Sequence, residues 1–125
     1  RINMTRLFLI ALLIVALGPV FTGAAQAADG KALFGFYCAQ CHGTEGEGDG
    51  PNVTGDFPVD PRNFTETAEM EKISDADIRN VIIDGGPIAD KSPMMPPWGK
   101  TLTDAEIEAL VGYLRQLCNC TGKTG

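Results

Sequence analysis

Histidine and tryptophan each occur only once, as His42 and Trp98, and cysteine four times. A single imidazole and no second Cys-x-x-Cys pair argue against a zinc site, which takes four nitrogen or sulfur ligands. Basic residues are also scarce, with Lys+Arg at 10 against 16 Asp+Glu and a formal charge of −6. That balance argues against nucleic acid as a partner, because its binders carry basic stripes. No apolar run approaches the roughly 20 residues that a membrane-spanning helix needs. The longest, Leu7 to Leu17, ends at Gly18-Pro19. At 125 residues the chain has room for one modest domain, so its function must come from a single site.

The short apolar run has the marks of a secretory leader. Arg1 and Arg6 precede it, and Ala25-Gln26-Ala27 supplies the small-x-small pattern accepted by signal peptidase, so cleavage before Ala28 is expected. An uncleaved N-terminal anchor is the alternative. Loss of residues 1–27 removes Arg1 and Arg6 and no acid, leaving 8 basic residues against 16 acidic ones and a formal charge of −8. Such a surface favours encounter with a partner bearing a basic patch, and salt should weaken that encounter.

Beyond the leader, residues 28–125 read as one all-α domain with three main helices and a possible short fourth. Leu33, Phe34, Phe36, Tyr37 and Cys41 have near-helical spacing after Asp29, a plausible N-cap. Glycine, proline and acid without period from Gly43 to Arg62 predict a long loop, of the kind that wraps something in a small domain. Asn63 to Lys72 offers at best a short helix. Ser74 caps the next, which has Ile78, Val81 and Ile82 on one face and stops at Asp84-Gly85-Gly86-Pro87. Pro93, Pro96 and Pro97 keep the following stretch extended. Thr103 and Glu106 form a capping box for the last helix, whose stripe is Ile107, Leu110, Val111, Leu114 and Leu117. Short helices in about 98 residues bury a limited core, so a large apolar ligand at the centre would help the fold form.

The chemistry concentrates in Cys38-Ala39-Gln40-Cys41-His42, the Cys-x-x-Cys-His pattern through which haem is attached covalently. Two thiols three residues apart can reach the two vinyl groups of one haem, and the adjacent imidazole can reach its iron. Thiol exchange would expect a preceding strand and a βαβ pattern. Zinc would need further ligands, and Cys118 and Cys120 have the wrong spacing. A disulfide between Cys38 and Cys41 would leave His42 unexplained. With one histidine, a second axial ligand must be another group, and methionine is the usual partner in electron-transfer haems. Beyond the leader only Met70, Met94 and Met95 qualify. Met70 lies in a polar stretch where a core role fits better, whereas Met94 and Met95 share the proline-rich loop and point in different directions, so one ligand is expected.

Taken together these residues resemble a class I, monohaem c-type cytochrome, and the resemblance covers essentially the whole of residues 28–125. Gly30 and Phe34 stand eight and four residues before Cys38, "GDGPNV" follows the haem motif, "MPPWG" precedes the last helix, and "EALVGYLRQL" is similar to the family's C-terminal helix. The resemblance implies a class I cytochrome c fold wrapped around one covalent haem c. Cys38 and Cys41 would carry the thioethers and His42 would be the proximal iron ligand. Pro51 would supply the carbonyl that accepts the His42 ring N–H. The family's distal methionine is commonly followed by proline, which selects Met95, with Met94 as the alternative. Gly30 and Phe34 would cross Leu110 and Tyr113. Trp98 resembles the aromatic beside a haem propionate, with plain core packing as the alternative, and Arg62 could pair with a propionate or remain a solvated loop charge. Cys118-Asn119-Cys120 departs from the pattern. A local bridge or incidental thiols are favoured there over a redox or copper site.

The function implied is that of a periplasmic, monomeric electron carrier, not an enzyme. It would run between a dehydrogenase or reductase and a terminal oxidase or reductase through transient docking. The alternatives are a dedicated haem subunit of one dehydrogenase and, further off, a peroxidase or ligand-binding haem protein, for which a distal histidine is lacking.

Overall fold

The structure is a computed structural model, and it describes residues 27–124. The expected leader therefore lies, but for Ala27, outside the described residues. Within them the chain is helical, with no strand. The Asp29 side chain accepts from the main-chain N–H groups of Lys31 and Ala32 and starts α1, Gly30–Tyr37. The chain bends at Cys38 and resumes as α2, Ala39–His42. The expectation of one helix through this region needs that correction, although the break is slight: Cys38 N–H still reaches Phe34 O (2.9 Å) and His42 N–H reaches Cys38 O (2.9 Å).

After the long loop a single turn, α3 (Thr67–Met70), buries Met70 completely in the core, the role expected for it. Helix α4 (Asp75–Asp84) opens on a reciprocal capping box between Ser74 and Asp77. It closes at Gly85, whose φ of 84° lies in the left-handed region where glycine carries no penalty. A 3₁₀ turn, Gly86–Ala89, follows with Pro87 in its first turn, where a missing N–H costs nothing. The sequence pattern marks only a helix stop there. Helix α5 (Asp104–Cys118) has the expected Thr103–Glu106 capping box and buries Ile107, Leu110, Val111, Leu114 and Cys118. No helix among the described residues is long and apolar enough to cross a membrane.

The fold closes where α1 crosses α5. A β-carbon on Gly30 would strike the Ala109 carbonyl and lie 3.0 Å from the Tyr113 β-carbon, so glycine lets the two backbones touch. One turn on, Phe34 is buried with its ring 5.3 Å from that of Tyr113. Burying a side chain of this size contributes about 1.5–3 kcal/mol. Leu110, also expected at the crossing, belongs to the same buried cluster.

The other end of α5 is braced by Arg115. Its guanidinium donates to the carbonyls of Met70 (2.9 Å) and Ile73 (2.6 Å) and to the Asp75 carboxylate (2.8 Å), tying α5 to the turn between α3 and α4. Cys118 and Cys120 are joined by a disulfide, one of the two outcomes, local bridge or incidental thiols, favoured from the sequence. The Thr67 hydroxyl donates to the Cys118 carbonyl (2.7 Å), so this bridged turn is fastened to α3 as well.

Candidate functional site

Cys38, Cys41 and His42 stand at positions i, i+3 and i+4 of a single helical turn, the spacing that puts side chains on one face. The turn is intact, with Cys41 N–H to Cys38 O at 3.2 Å and His42 N–H to the same oxygen at 2.9 Å. Cys38 and Cys41 are both free thiols, although Cys118 and Cys120 are bonded. Burial, and then the neighbouring Cys41, push the Cys38 thiol up to about 11. It is therefore protonated at neutral pH, the opposite of the lowered thiol that thiol-exchange sites use. Among the described residues no three His, Cys, Asp or Glu side chains are grouped to hold a metal ion.

The loop after α2 folds back to satisfy its last carbonyls. Gly48 N–H bonds His42 O (2.8 Å), Gly50 N–H bonds Cys41 O (3.1 Å) and Asn52 N–H bonds Gln40 O (2.8 Å). The approach is close enough that a β-carbon on Gly50 would overlap the Gln40 carbonyl. The glycines between His42 and Pro51 are therefore structural parts of the site. They let the loop cap a helix end whose carbonyls would otherwise lack partners.

His42 is fixed on two sides. Its ring stacks on Phe64, with centroids 4.5 Å apart and planes at 25°. Its Nδ1 lies 3.1 Å from the Arg62 carbonyl oxygen. A carbonyl can only accept, so Nδ1 carries the proton and Nε2 keeps its lone pair. Burial lowers the His42 pKa, partly offset by that hydrogen bond, which keeps the imidazole neutral. A neutral ring with its far nitrogen free is the form that binds a metal.

This geometry corrects one expectation. The carbonyl that holds the His42 ring is that of Arg62, and Pro51 is exposed in a turn. The loop returns to His42 only after passing Pro51, once Phe64 N–H has bonded Gly46 O (2.7 Å). Nothing local in the sequence marks that return. Arg62 thus contributes through its main chain, and its own side chain is half-buried.

The methionine loop lies beyond α4. Met94 is 56% exposed, whereas Met95 is half-buried and packs against the core cluster together with Cys38, Phe64 and Trp98. Trp98 also meets Tyr37 edge-on, with centroids 5.2 Å apart. The Cys38 thiol and the half-buried Met95 thioether thus border one apolar cluster, which the His42 ring meets through Phe64, and the second free thiol, Cys41, stands next to His42 on the same turn. That donor set fits a covalently attached haem, whose thioethers need free thiols and whose iron takes imidazole and thioether ligands.

Comparison with known proteins agrees. Residues 25–114 match the family model described as cytochrome c oxidase, cbb3-type, subunit III. Cytochrome c-553 of Helicobacter pylori is 31% identical over 105 residues, covering 83% of this chain and 95% of that protein. Among solved structures, the KustC0563 c-type cytochrome superposes with a TM-score of 0.55 at 32% identity, covering 71% of this chain and 96% of the other. A chain of the Kuenenia stuttgartiensis reducing HAO-like protein complex Kustc0457/Kustc0458 superposes with a TM-score of 0.56 at 34% identity, covering 70% of this chain and 40% of that one. The chain belongs to the class I, single-haem c-type cytochromes, an electron-carrier family with an all-α fold and one covalently bound haem c with its iron.

Proposed function

We propose that this protein is a periplasmic electron carrier, not an enzyme, and that it takes electrons from a dehydrogenase or reductase and delivers them to a terminal oxidase or reductase. Cys38 and Cys41 would carry the thioether links, His42 would hold the iron through Nε2, and Met95 would supply the second ligand. When bound, haem c supplies a one-electron couple at its iron. The observation that carries the reading is the His42 ring, fixed in place by the Arg62 carbonyl and the Phe64 ring on the same turn as two free thiols.

Each residue has a separate task in this scheme. The Arg62 carbonyl and the Phe64 ring restrain rotation of His42, so its Nε2 would keep one direction toward the iron. Met95 is favoured over Met94 by its partial burial and by Pro96, which stiffens the chain after it. If His42 and Met95 both hold the iron, no position would be open for a substrate, as a carrier rather than a peroxidase requires. Trp98 and the Arg62 side chain are placed beside the propionate carboxylates in this proposal.

Docking is assigned to the acidic surface. Glu45, Glu47, Asp49, Asp56 and Asp60 are exposed along the loop after the haem motif, while the ion pairs engage Glu69, Asp75, Asp77 and Glu108 elsewhere. Those loop acids suit a partner with a basic patch. Export relies on the leader of residues 1–27, and the mature domain is proposed to act as a monomer without membrane insertion.

A second reading, a haem subunit dedicated to one complex, is favoured by the structural neighbour that is itself a chain of a protein complex. Two measurements on protein isolated from its native membrane-free fraction separate these. Intact mass after acid-organic extraction should show one haem retained, and electron-transfer rates should fall with ionic strength. Absence of covalent haem would refute both readings, and a salt-resistant co-purifying partner would favour the subunit.

A further inference from the structure

The loop that presents Met95 is tied at both ends to one glycine. Gly86 N–H donates to the Met95 carbonyl (3.0 Å), and the Gly86 carbonyl accepts from Lys91 N–H (3.0 Å). The segment from Lys91 to Met95 is therefore closed on Gly86. Inside it, Met94 N–H bonds the Ser92 hydroxyl (3.1 Å) and Met95 N–H bonds the Ser92 carbonyl (3.3 Å). Ser92 and Gly86 are both buried, so these bonds are shielded from competing water.

The far side of the loop is anchored to the same region. Trp98 and Gly99 donate to the carbonyls of Ile82 (2.9 Å) and Ile83 (3.1 Å), which the end of α4 leaves without intrahelical partners. Met95 is thus fixed before, at and after its own main chain. There is no room at the central point: a β-carbon on Gly86 would strike the Ser92 carbonyl and lie 3.4 Å from the Met95 β-carbon. Gly86 is absent from the glycines with positive φ. Alanine is therefore acceptable to its backbone, and the penalty at Gly86 comes from contact with the methionine loop.

We propose that Gly86 is the positioning residue for the distal ligand, holding the Met95 main chain so that the thioether stays on the iron against competing ligands. This inference rests on the assignment of Met95 as that ligand. If the loop is loosened, a larger fraction of molecules has the methionine displaced, and an added ligand binds with an apparent Kd lowered in proportion to that fraction.

The test compares haem-loaded wild-type, Gly86→Ala, Gly30→Ala and Met95→Ala proteins. Gly30→Ala obstructs the α1–α5 crossing and serves as a control for general destabilisation. Imidazole titration of the ferric protein should show an affinity raised about tenfold or more in Gly86→Ala, with a weakened sulfur-to-iron charge-transfer band. Gly30→Ala should match wild type in both. Equal imidazole affinities in Gly86→Ala and Gly30→Ala, with the band lost in Met95→Ala, overturn the proposal and leave the ligand assignment standing. A band retained in Met95→Ala overturns the assignment and the proposal together. A second readout needs no variant. The Gly86 and Lys91 amides of the wild-type protein should exchange hydrogen as slowly as the interior amides of α4, and rapid exchange at both would contradict the clamp.

Discussion

Replacing Arg115 with alanine removes a side chain that is only 11% exposed and whose guanidinium donates to two main-chain carbonyls and one carboxylate. The Met70 and Ile73 carbonyls each lose a charged donor, and such bonds contribute about 1.5–3 kcal/mol. Asp75 is largely exposed, so its ion pair adds little beyond this, ~0–1 kcal/mol. The loss should come to roughly 3–5 kcal/mol, allowing for water reaching the freed carbonyls. A 3 kcal/mol loss in a domain of this size lowers Tm by ~12–24 °C. The assay is urea unfolding of the haem-loaded protein, followed by far-ultraviolet circular dichroism, beside Arg79→Ala. Arg79 also forms a two-point ion pair, with Glu108, but on the surface. Its removal should change stability by no more than ~1 kcal/mol. If Arg115→Ala loses no more stability than Arg79→Ala, the brace between α5 and the α3–α4 turn does not exist as described.

Two glycines should respond in opposite directions to the same substitution. Gly30→Ala forces a methyl group into the Ala109 carbonyl and should cost ~1–3 kcal/mol, whereas Gly112→Ala, with nothing within 4 Å, should stabilise α5 by up to ~1 kcal/mol. Denaturant midpoints of both variants check this, and equal shifts would refute the close crossing. Stability should also decline in acid. Hydrogen bonds from Ser74 hold the Asp77 carboxyl below its usual range, and those from Thr103 do the same for Glu106. A depressed folded pKa contributes stability that is present above the unfolded value and lost as pH falls through the folded one. A pH series of unfolding midpoints should therefore be flatter on the acid side in Asp77→Asn, and an unchanged slope would remove that contribution.

Legibility in the sequence followed the range of the interactions. The Ser74 and Thr103 caps and the α5 stripe rest on local spacing, and the Gly30–Tyr113 crossing on the family resemblance, and all appear in the structure. The Cys-x-x-Cys-His turn was equally plain, because three chemical groups are fixed within five residues. The partner of the His42 ring was not. Choosing the Arg62 carbonyl over that of Pro51 depends on how an aperiodic loop closes on itself, through contacts such as Phe64 to Gly46. The Gly86 clamp was hidden for the same reason. Its sequence, Gly85-Gly86-Pro87, reads as a helix stop, and only the return of the loop gives Gly86 its two partners.

The site divides its work between side chains and main chain. Thiols, imidazole and thioether meet the haem in the proposed scheme, while carbonyls and glycine amides orient them. In that scheme a small domain with modest helices draws one ligand from a helical turn and the other from a separate loop. The Arg62 carbonyl holds the His42 ring and Gly86 closes the loop of Met95, and neither contribution depends on its side chain making a bond.

His42 and Met95 are proposed as the two protein ligands of the haem iron. The most direct measurement is the optical spectrum of the ferric protein with Met95 and Met94 replaced in turn. The sulfur-to-iron charge-transfer band should be present in wild type, lost in Met95→Ala and retained in Met94→Ala. A high-spin spectrum in the wild-type protein, or a band that survives Met95→Ala, would contradict that assignment.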